Sequence, residues 1–450
     1  MATIPQPELF SWDQVEASSD LRRFELLLAA IPDEELMVAL EEERNGHRDD
    51  YPIRAVWNSV LAGVVFQHPS VEALRRELLR NAELRQACGF SPLKGDLAVP
   101  PKWIYSRFFA KLFKHQEKID AMFDGLVERL RELLPGFGTD LAIDSKALST
   151  WAKSKKDPEK RSDPDADWGK KSYRGTREDG TTWEKDKSWF GYKVHLVVDA
   201  DYELPVAYDV TRASQSDTTY LLPMMEKLKR NHEELVREAK SLSGDKGYDS
   251  EENIKTLWDE YEIKPAIDII HKWKEDPKAP RPLDPDRVDT LFYNQDGHAL
   301  CRNLDTPDET KNYAAMAFEG FEQARQSLKY RCPAQALGIT CTQRAICNDG
   351  HHTDHGRIVR IPLEKDRRLF TPLARDSYVW ERTYKKRTSV ERVNNRLDVS
   401  FGFERHFIRG KKKMRARMGL ALVVMLGMAV GWIEAGEKEK MRSLVQPRAA

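Results

Sequence analysis

The chain has 450 residues, enough for two or three domains around a substantial core, and its 73 basic and 73 acidic residues cancel, which excludes a uniformly polycationic protein. Met1–Phe10 has neither a basic start nor an apolar run, and with five cysteines this argues against a disulfide framework and for a cytoplasmic protein. The longest apolar stretch, Met418–Ile433, is 16 residues with three glycines, short for a membrane span and suited to a buried helix, so no membrane partner is expected.

Residues 1–50 are polar and read as part tail, part helix. From Tyr51 to Leu134 the pattern is helical. Ile119, Met122, Phe123, Leu126, Leu130 and Leu133 recur at three- and four-residue steps along one stripe. Pro100-Pro101 divides two helical groups, and Pro135-Gly136 ends the region. The period then changes. Leu141–Asp144 reads as a short strand; Phe190–Asp199 and Leu204–Thr211 read as two more, joined by a turn. Between the first two, Lys153–Lys187 is dense in Lys, Asp, Gly and Pro and reads as a long surface loop. Thr218–Arg230 reads as a helix, Ala239–Gly244 as a fourth strand, Glu251–Glu260 as a helix and Ile263–Ile269 as a fifth strand. Residues 271–374, entered through the Pro-rich Asp276–Pro285, read as an insertion. The organisation is thus a tail or helix (1–50), a helical domain (51–135), an α/β domain in two parts (140–270 and 375–435) around the insertion, and a tail (436–450). The alternation supports an α/β fold.

Three acids carry the chemistry. Asp144 ends the apolar run Leu141-Ala142-Ile143, and Asp245 follows Ser241–Gly244 and precedes Lys246-Gly247-Tyr248. Glu391 lies in Tyr384-Lys-Lys-Arg387-Thr-Ser-Val-Glu391. Two acids at strand ends and one on a helix can converge on a pair of divalent cations, Mg²⁺ or Mn²⁺, for phosphodiester chemistry. Each has a plainer reading. Asp144 can cap a turn, and Glu391 can form a surface pair with Arg387 worth roughly a few tenths of a kcal/mol. Asp249 rivals Asp245, but with Glu252 three residues on it suits a helix N-cap, so Asp245 is the better ligand. Tyr384, Arg387 and Asn394 share a helix face with Glu391, and Arg387 suits a phosphate.

From Arg382 to Arg417 thirteen Lys/Arg face three acids, a local surplus of ten. That surplus, with Lys411, Lys412 and Lys413 in it, is read as DNA contact over a merely solvated face. Trp183 and Trp189 flank a long strand. One of them can stack on an unpaired base, although Trp189 reads better as buried packing. His195 reads as a packed histidine. Cys301, Cys332, Cys341 and Cys347, followed by His351, His352 and His355, can hold a structural zinc. The spacing lacks tight Cys-x2-Cys pairs, so ordinary thiols are the favoured reading.

Three segments together resemble bacterial insertion-sequence transposases of the DDE type: Trp189-Phe-Gly-Tyr-Lys-Val-His-Leu-Val-Val-Asp199, the Gly244–Asp249 turn, and the Tyr384/Arg387/Glu391 spacing. The resemblance runs roughly from residue 50 to 435. It implies a ribonuclease-H-like catalytic domain, with an N-terminal helical domain that reads element ends and an insertion before the last catalytic helix. It also implies Asp144, Asp245 and Glu391 as holders of two Mg²⁺ ions, with Arg387 and Tyr384 positioning the phosphate. The implied partners are element-end and target DNA, bound by a homodimer. The family's third signature places Lys seven residues after its acid; here that position is Asp398, and Arg396 points elsewhere on the helix. A nuclease that cuts without joining and an inactive DNA-binding descendant are the alternatives.

Overall fold

The computed structural model describes residues 19–44, 50–154, 157, 160–177, 179, 181–273, 279–287, 289–302, 313–338, 341, 345–348, 350–351 and 356–443. Before the first strand come α1 (Ser19–Ala30), α2 (Glu34–Glu42), α3 (Ile53–Val65), α4 (Val71–Arg80), α5 (Ala82–Cys88), α6 (Lys102–Leu112) and α7 (Gln116–Leu133). Ser70 and Asn81 start α4 and α5 by accepting the backbone N–H of Ala73 and Leu84. The stripe predicted on α7 is buried from Ile119 to Leu130. The polar N-terminal segment contributes more than expected: Leu21, Phe24 and Leu27 of α1 and Leu36, Met37 and Leu40 of α2 belong to the core. The remainder of that predicted tail, 1–18 and 45–49, lies outside the described residues, as do 444–450.

The main sheet comprises β1 (Asp140–Ser149), β2 (Asp167–Thr176), β3 (Thr182–Asp199) and β4 (Leu204–Arg212), followed by α8 (Asp217–Asn231), α9 (Glu233–Glu238), β5 (Ser241–Gly244), α10 (Glu251–Asp259) and β6 (Lys264–Ile267). β3 pairs antiparallel with β1, β2 and β4; β5 runs parallel to β1, and β6 parallel to β5. Val194–Val198 is buried throughout, as a central strand covered on both faces requires.

The segment expected to be a loop from Lys153 to Lys187 is corrected by β2 and the first half of β3, which form an antiparallel ribbon. Thr182–Ser188 is exposed on both faces, so it carries no apolar alternation by which a strand is recognised. The ribbon is ordered by ring-on-glycine pairs: Gly169 faces Trp189 and Gly175 faces Trp183, and a Cβ at either glycine would meet the ring at 2.4 or 2.6 Å.

The insertion forms two small sheets. One has β7 (Arg281–Pro282), β8 (Leu291–Tyr293), β9 (Ala299–Arg302) and β10 (Tyr313–Ala315); the other has β11 (Ala317–Glu322), β12 (Ser327–Arg331) and β13 (Ile358–Pro362), with α11 (Pro333–Leu337) between the last two strands. They enclose a separate core of Leu291, Met316, Leu328, Tyr330, Ile361 and Phe370, joined by Trp258 of α10.

The chain then returns through α12 (Tyr378–Lys385), α13 (Thr388–Phe401) and α14 (Lys411–Glu434). The N-terminal helices, main sheet, α13 and α14 share one continuous core, so the helical region is not a separately packed domain. α14 is long and apolar enough to cross a membrane by composition, yet 89% of its most apolar window is buried inside the protein. Its glycines permit close approach: Gly427 faces Leu27 and Gly431 faces the Leu26 backbone, both on α1. The helix packs chiefly with α1 and α7 and reaches the sheet at β4, rather than lying flat on the sheet.

Candidate active site

Strand register brings two of the acids together. β1 and β5 run parallel with Ala142 opposite Ser243, so two further steps set Asp245, just past β5, beside Asp144. Gly244 faces Ile267 on β6, which puts Asp268 next in the row. Asp245 ends its strand by capping the 3-10 turn Lys246–Tyr248, its Oδ1 accepting from Gly247 N at 2.8 Å. It therefore has the local partner that sequence reasoning assigned only to Asp249. Asp249 is instead a buried carboxylate that accepts from Arg368 Nε (2.9 Å) and Ile270 N (2.7 Å), while Ser250 caps α10. Its role is structural, as expected, but through an ion pair rather than a cap.

A third acid joins from α8. Asp217, at the start of that helix, accepts from Lys193 Nζ at 3.0 Å. Gly247 separates it from Asp245: a Cβ there would stand 2.9 Å from Asp245 Oδ1 and 3.6 Å from Asp217 Oδ2. Sequence reasoning missed Asp217. The available signal was an acid opening a helix directly after a strand.

Burial raises the Asp144 carboxyl to about 6, opposed by nearby Lys171 and reinforced by the charges of Asp245 and Asp217. Its Oδ1 accepts from Ser145 N at 2.7 Å. Asp144 with Asp245 beside it supplies oxygen donors of the kind a hard divalent cation takes.

Glu391 stands apart. The segment expected to share one helix face is two helices, broken at Lys386–Arg387, and Glu391 lies in the first turn of the second, α13. Arg387 Nη1 donates to Glu391 Oε1 at 2.6 Å, and the Glu391 side chain is 51% exposed. Among the described residues no three His, Cys, Asp or Glu side chains stand close enough to hold a metal ion, so the expected convergence of Asp144, Asp245 and Glu391 is not formed here. Arg387 does reach Asp144 electrostatically, and Tyr384 reaches Asp245 and Asp268. Tyr384 stacks on Trp380 with ring centroids 4.9 Å apart.

Asp398, at the position where a Lys was expected, accepts from Lys146 Nζ at 2.5 Å, and Glu404 accepts from the same ammonium at 3.1 Å. Lys146 lies two residues after Asp144 on the same strand face, so a lysine does stand at this end of the site, supplied by β1. Arg396 is buried against the Glu203 carbonyl, away from Glu391. Lys411, Lys412 and Lys413 open α14; Lys412 and Lys413 are exposed. Trp189 is buried, donating to Tyr192 O at 2.9 Å, whereas Trp183 is 37% exposed. His195 is fully buried, bonded to Thr211 Oγ1 at 2.9 Å and lowered to about 4 by burial, so it is a neutral packing residue. Cys301, Cys332, Cys341 and Cys347 are free thiols; His352 and His355 lie outside the described residues.

Residues 135–426 match the family described as Transposase DDE domain. No curated protein matches the chain. Among solved structures the chain is similar to one titled as a cryo-EM structure of the piggyBac transposase synaptic complex with hairpin DNA. The identity is 12%, covering 96% of this chain and 80% of that one, and the TM-score is 0.39, below what a shared fold requires.

Proposed function

The chain belongs to the Transposase DDE domain family, and from that premise we propose that it cleaves DNA at the ends of a mobile element and transfers the freed 3′ ends to target DNA. The observation that carries this reading is the adjacency of Asp144, within β1, and Asp245, just past the parallel neighbour β5, with burial raising the Asp144 carboxyl to about 6. The ribonuclease-H-like reading is supported by β3 pairing antiparallel with both β1 and β4, with β5 parallel to β1 and β6 parallel to β5.

Asp144 and Asp245 would hold Mg²⁺ (or Mn²⁺), joined by Glu391 once its carboxylate leaves Arg387. When bound, the ions activate the attacking water or 3′-hydroxyl and stabilise the departing oxygen. Arg387, freed in the same exchange, turns its guanidinium to a phosphate oxygen, and Tyr384 braces it from the ring stack with Trp380. Lys193 holds Asp217 at the edge of the site, and the buried Tyr248 walls it from solvent. The helical region would read the element ends, and two ends in one complex call for a homodimer on DNA. A cytoplasmic location completes the proposal.

The test is a strand-transfer assay with labelled fragments of the DNA flanking the coding region, chosen for any inverted repeats found there. Joined product supports the proposal. Cleavage without joining identifies a nuclease, and binding without either identifies an inactive descendant.

The basic segment gives a separate prediction. Reversing Lys411, Lys412 and Lys413 to Glu is expected to weaken binding to any DNA sequence. The slope of log affinity against log salt should flatten by up to about 3, since each lost phosphate contact removes about 0.9. An unchanged slope, measured by fluorescence anisotropy, would return this segment to a solvated face.

A further inference from the structure

We propose that Cys301, Cys332, Cys341 and Cys347 form a structural zinc site that pins the β-rich insertion together. The four cysteines come from separate places: Cys301 from β9, Cys332 from the turn that opens α11, Cys341 and Cys347 from the segment leading towards β13. The fold nevertheless ties Cys301, Cys332 and the neighbour of Cys347 to one polar knot. Cys301 Sγ donates to Thr290 Oγ1 at 3.6 Å. The neighbouring Asp289 accepts from Asn348 N at 3.3 Å, the residue after Cys347, and from Arg357 Nη1 at 2.5 Å. Arg357 O in turn accepts from Cys332 N at 2.8 Å.

The chemistry of the group asks for a cation. None of the four is in a disulfide, and Cys332 and Cys347 are each only 6% exposed. Cys332, Cys347 and Cys341 all lie close enough to Cys301 to act on it electrostatically. The Arg357 guanidinium lies within hydrogen-bond reach of Cys347, which ties this thiol to the same knot. Four thiols with a soft, compact surrounding suit tetrahedral zinc, whose structural sites are closed sets of four ligands, often all thiolates. Among the described residues no three of these side chains stand close enough to hold an ion, so zinc would draw the thiols inward around the linked Cys301, Cys332 and Cys347. The need is evident from the architecture: strands of two to six residues around a core of few side chains make a small unit of the kind that metals staple. The site is assembled by tertiary contacts between elements, which is why no Cys-x2-Cys spacing announces it.

The experiment uses the full chain purified without chelator. Elemental analysis is expected to give about one zinc per chain, and cobalt exchange to give the intense thiolate charge-transfer and d–d bands of a tetrahedral all-thiolate centre. Cys332→Ser and Cys347→Ser are expected to lower metal content below about a tenth, with Cys88→Ala, outside the insertion, unchanged. Should a serine variant fail to fold, the cobalt spectrum of the unaltered chain decides. Less than about a tenth of a zinc per chain, with all four thiols reacting freely with a thiol reagent in the folded protein, would overturn the proposal. Asp144→Asn leaves zinc content untouched, so this outcome is independent of the DNA-cleavage reading.

Discussion

Asp144→Asn is expected to abolish Mg²⁺-dependent cleavage and joining, by more than about a hundredfold, since even residues that only support metal ligands typically cost 10–100-fold. DNA binding should stay within about twofold, because the change removes a metal ligand and no phosphate contact. The same substitution should stabilise the protein. Asp144 rises from 3.8 to about 6 on folding, so between those pH values the folded chain binds the extra proton and the unfolded chain does not. The native state therefore loses stability as pH rises through that window, and above it the ionised carboxylate is a penalty of up to about 3 kcal/mol. Asparagine carries no such charge. In EDTA the variant should melt higher than the parent at pH 7.5, with the difference vanishing below about pH 4. Added Mg²⁺ should raise the melting temperature of the parent and leave the variant unmoved. Full Mg²⁺-dependent cleavage by the variant would remove Asp144 from the site.

The second large effect is expected in α14. Val424 is fully buried in a helix enclosed by α1, α3, α7 and β4. Val424→Asp sets a carboxylate there without a partner, and the cost should be several kcal/mol, about 3 or more, or outright unfolding. Circular dichroism melting and solubility on expression measure it. The parent chain should remain in the soluble fraction without detergent. A well-folded Val424→Asp variant, with a parent that needs detergent for extraction, would make α14 a membrane segment and overturn the cytoplasmic proposal.

Local patterns carried the sequence reading where side chains repeat. The α7 stripe, the start of β1, the strand ending in Gly244, the helix after β4 and the buried α14 all follow from periodicity or apolar runs, because burial of one face is written in neighbouring residues, whereas β1 runs on past the expected end at Asp144 to Ser149. The same reasoning failed on the ribbon of β2 and β3, where both faces of Thr182–Ser188 are wet and nothing alternates. It read residues 1–50 as part tail, part helix without placing α1 and α2 in the core, since their few apolar residues find partners only on distant helices, as α1 does on α14.

By itself the sequence determined the order of acids, the basic segment and the α/β alternation. Only tertiary structure decided which acids meet. Asp144 and Asp245 are neighbours because of a parallel register between strands about a hundred residues apart in sequence, and Asp217 joins them from a helix start. Glu391 is held off by Arg387, and Lys146 answers Asp398 across more than half the chain. Cys301, Cys332 and the residue after Cys347 are linked only through contacts of Asp289, Thr290 and Arg357. Spacing along a chain fixes neighbours within a turn or a strand; contacts between distant elements are set by register and packing, which no local window contains.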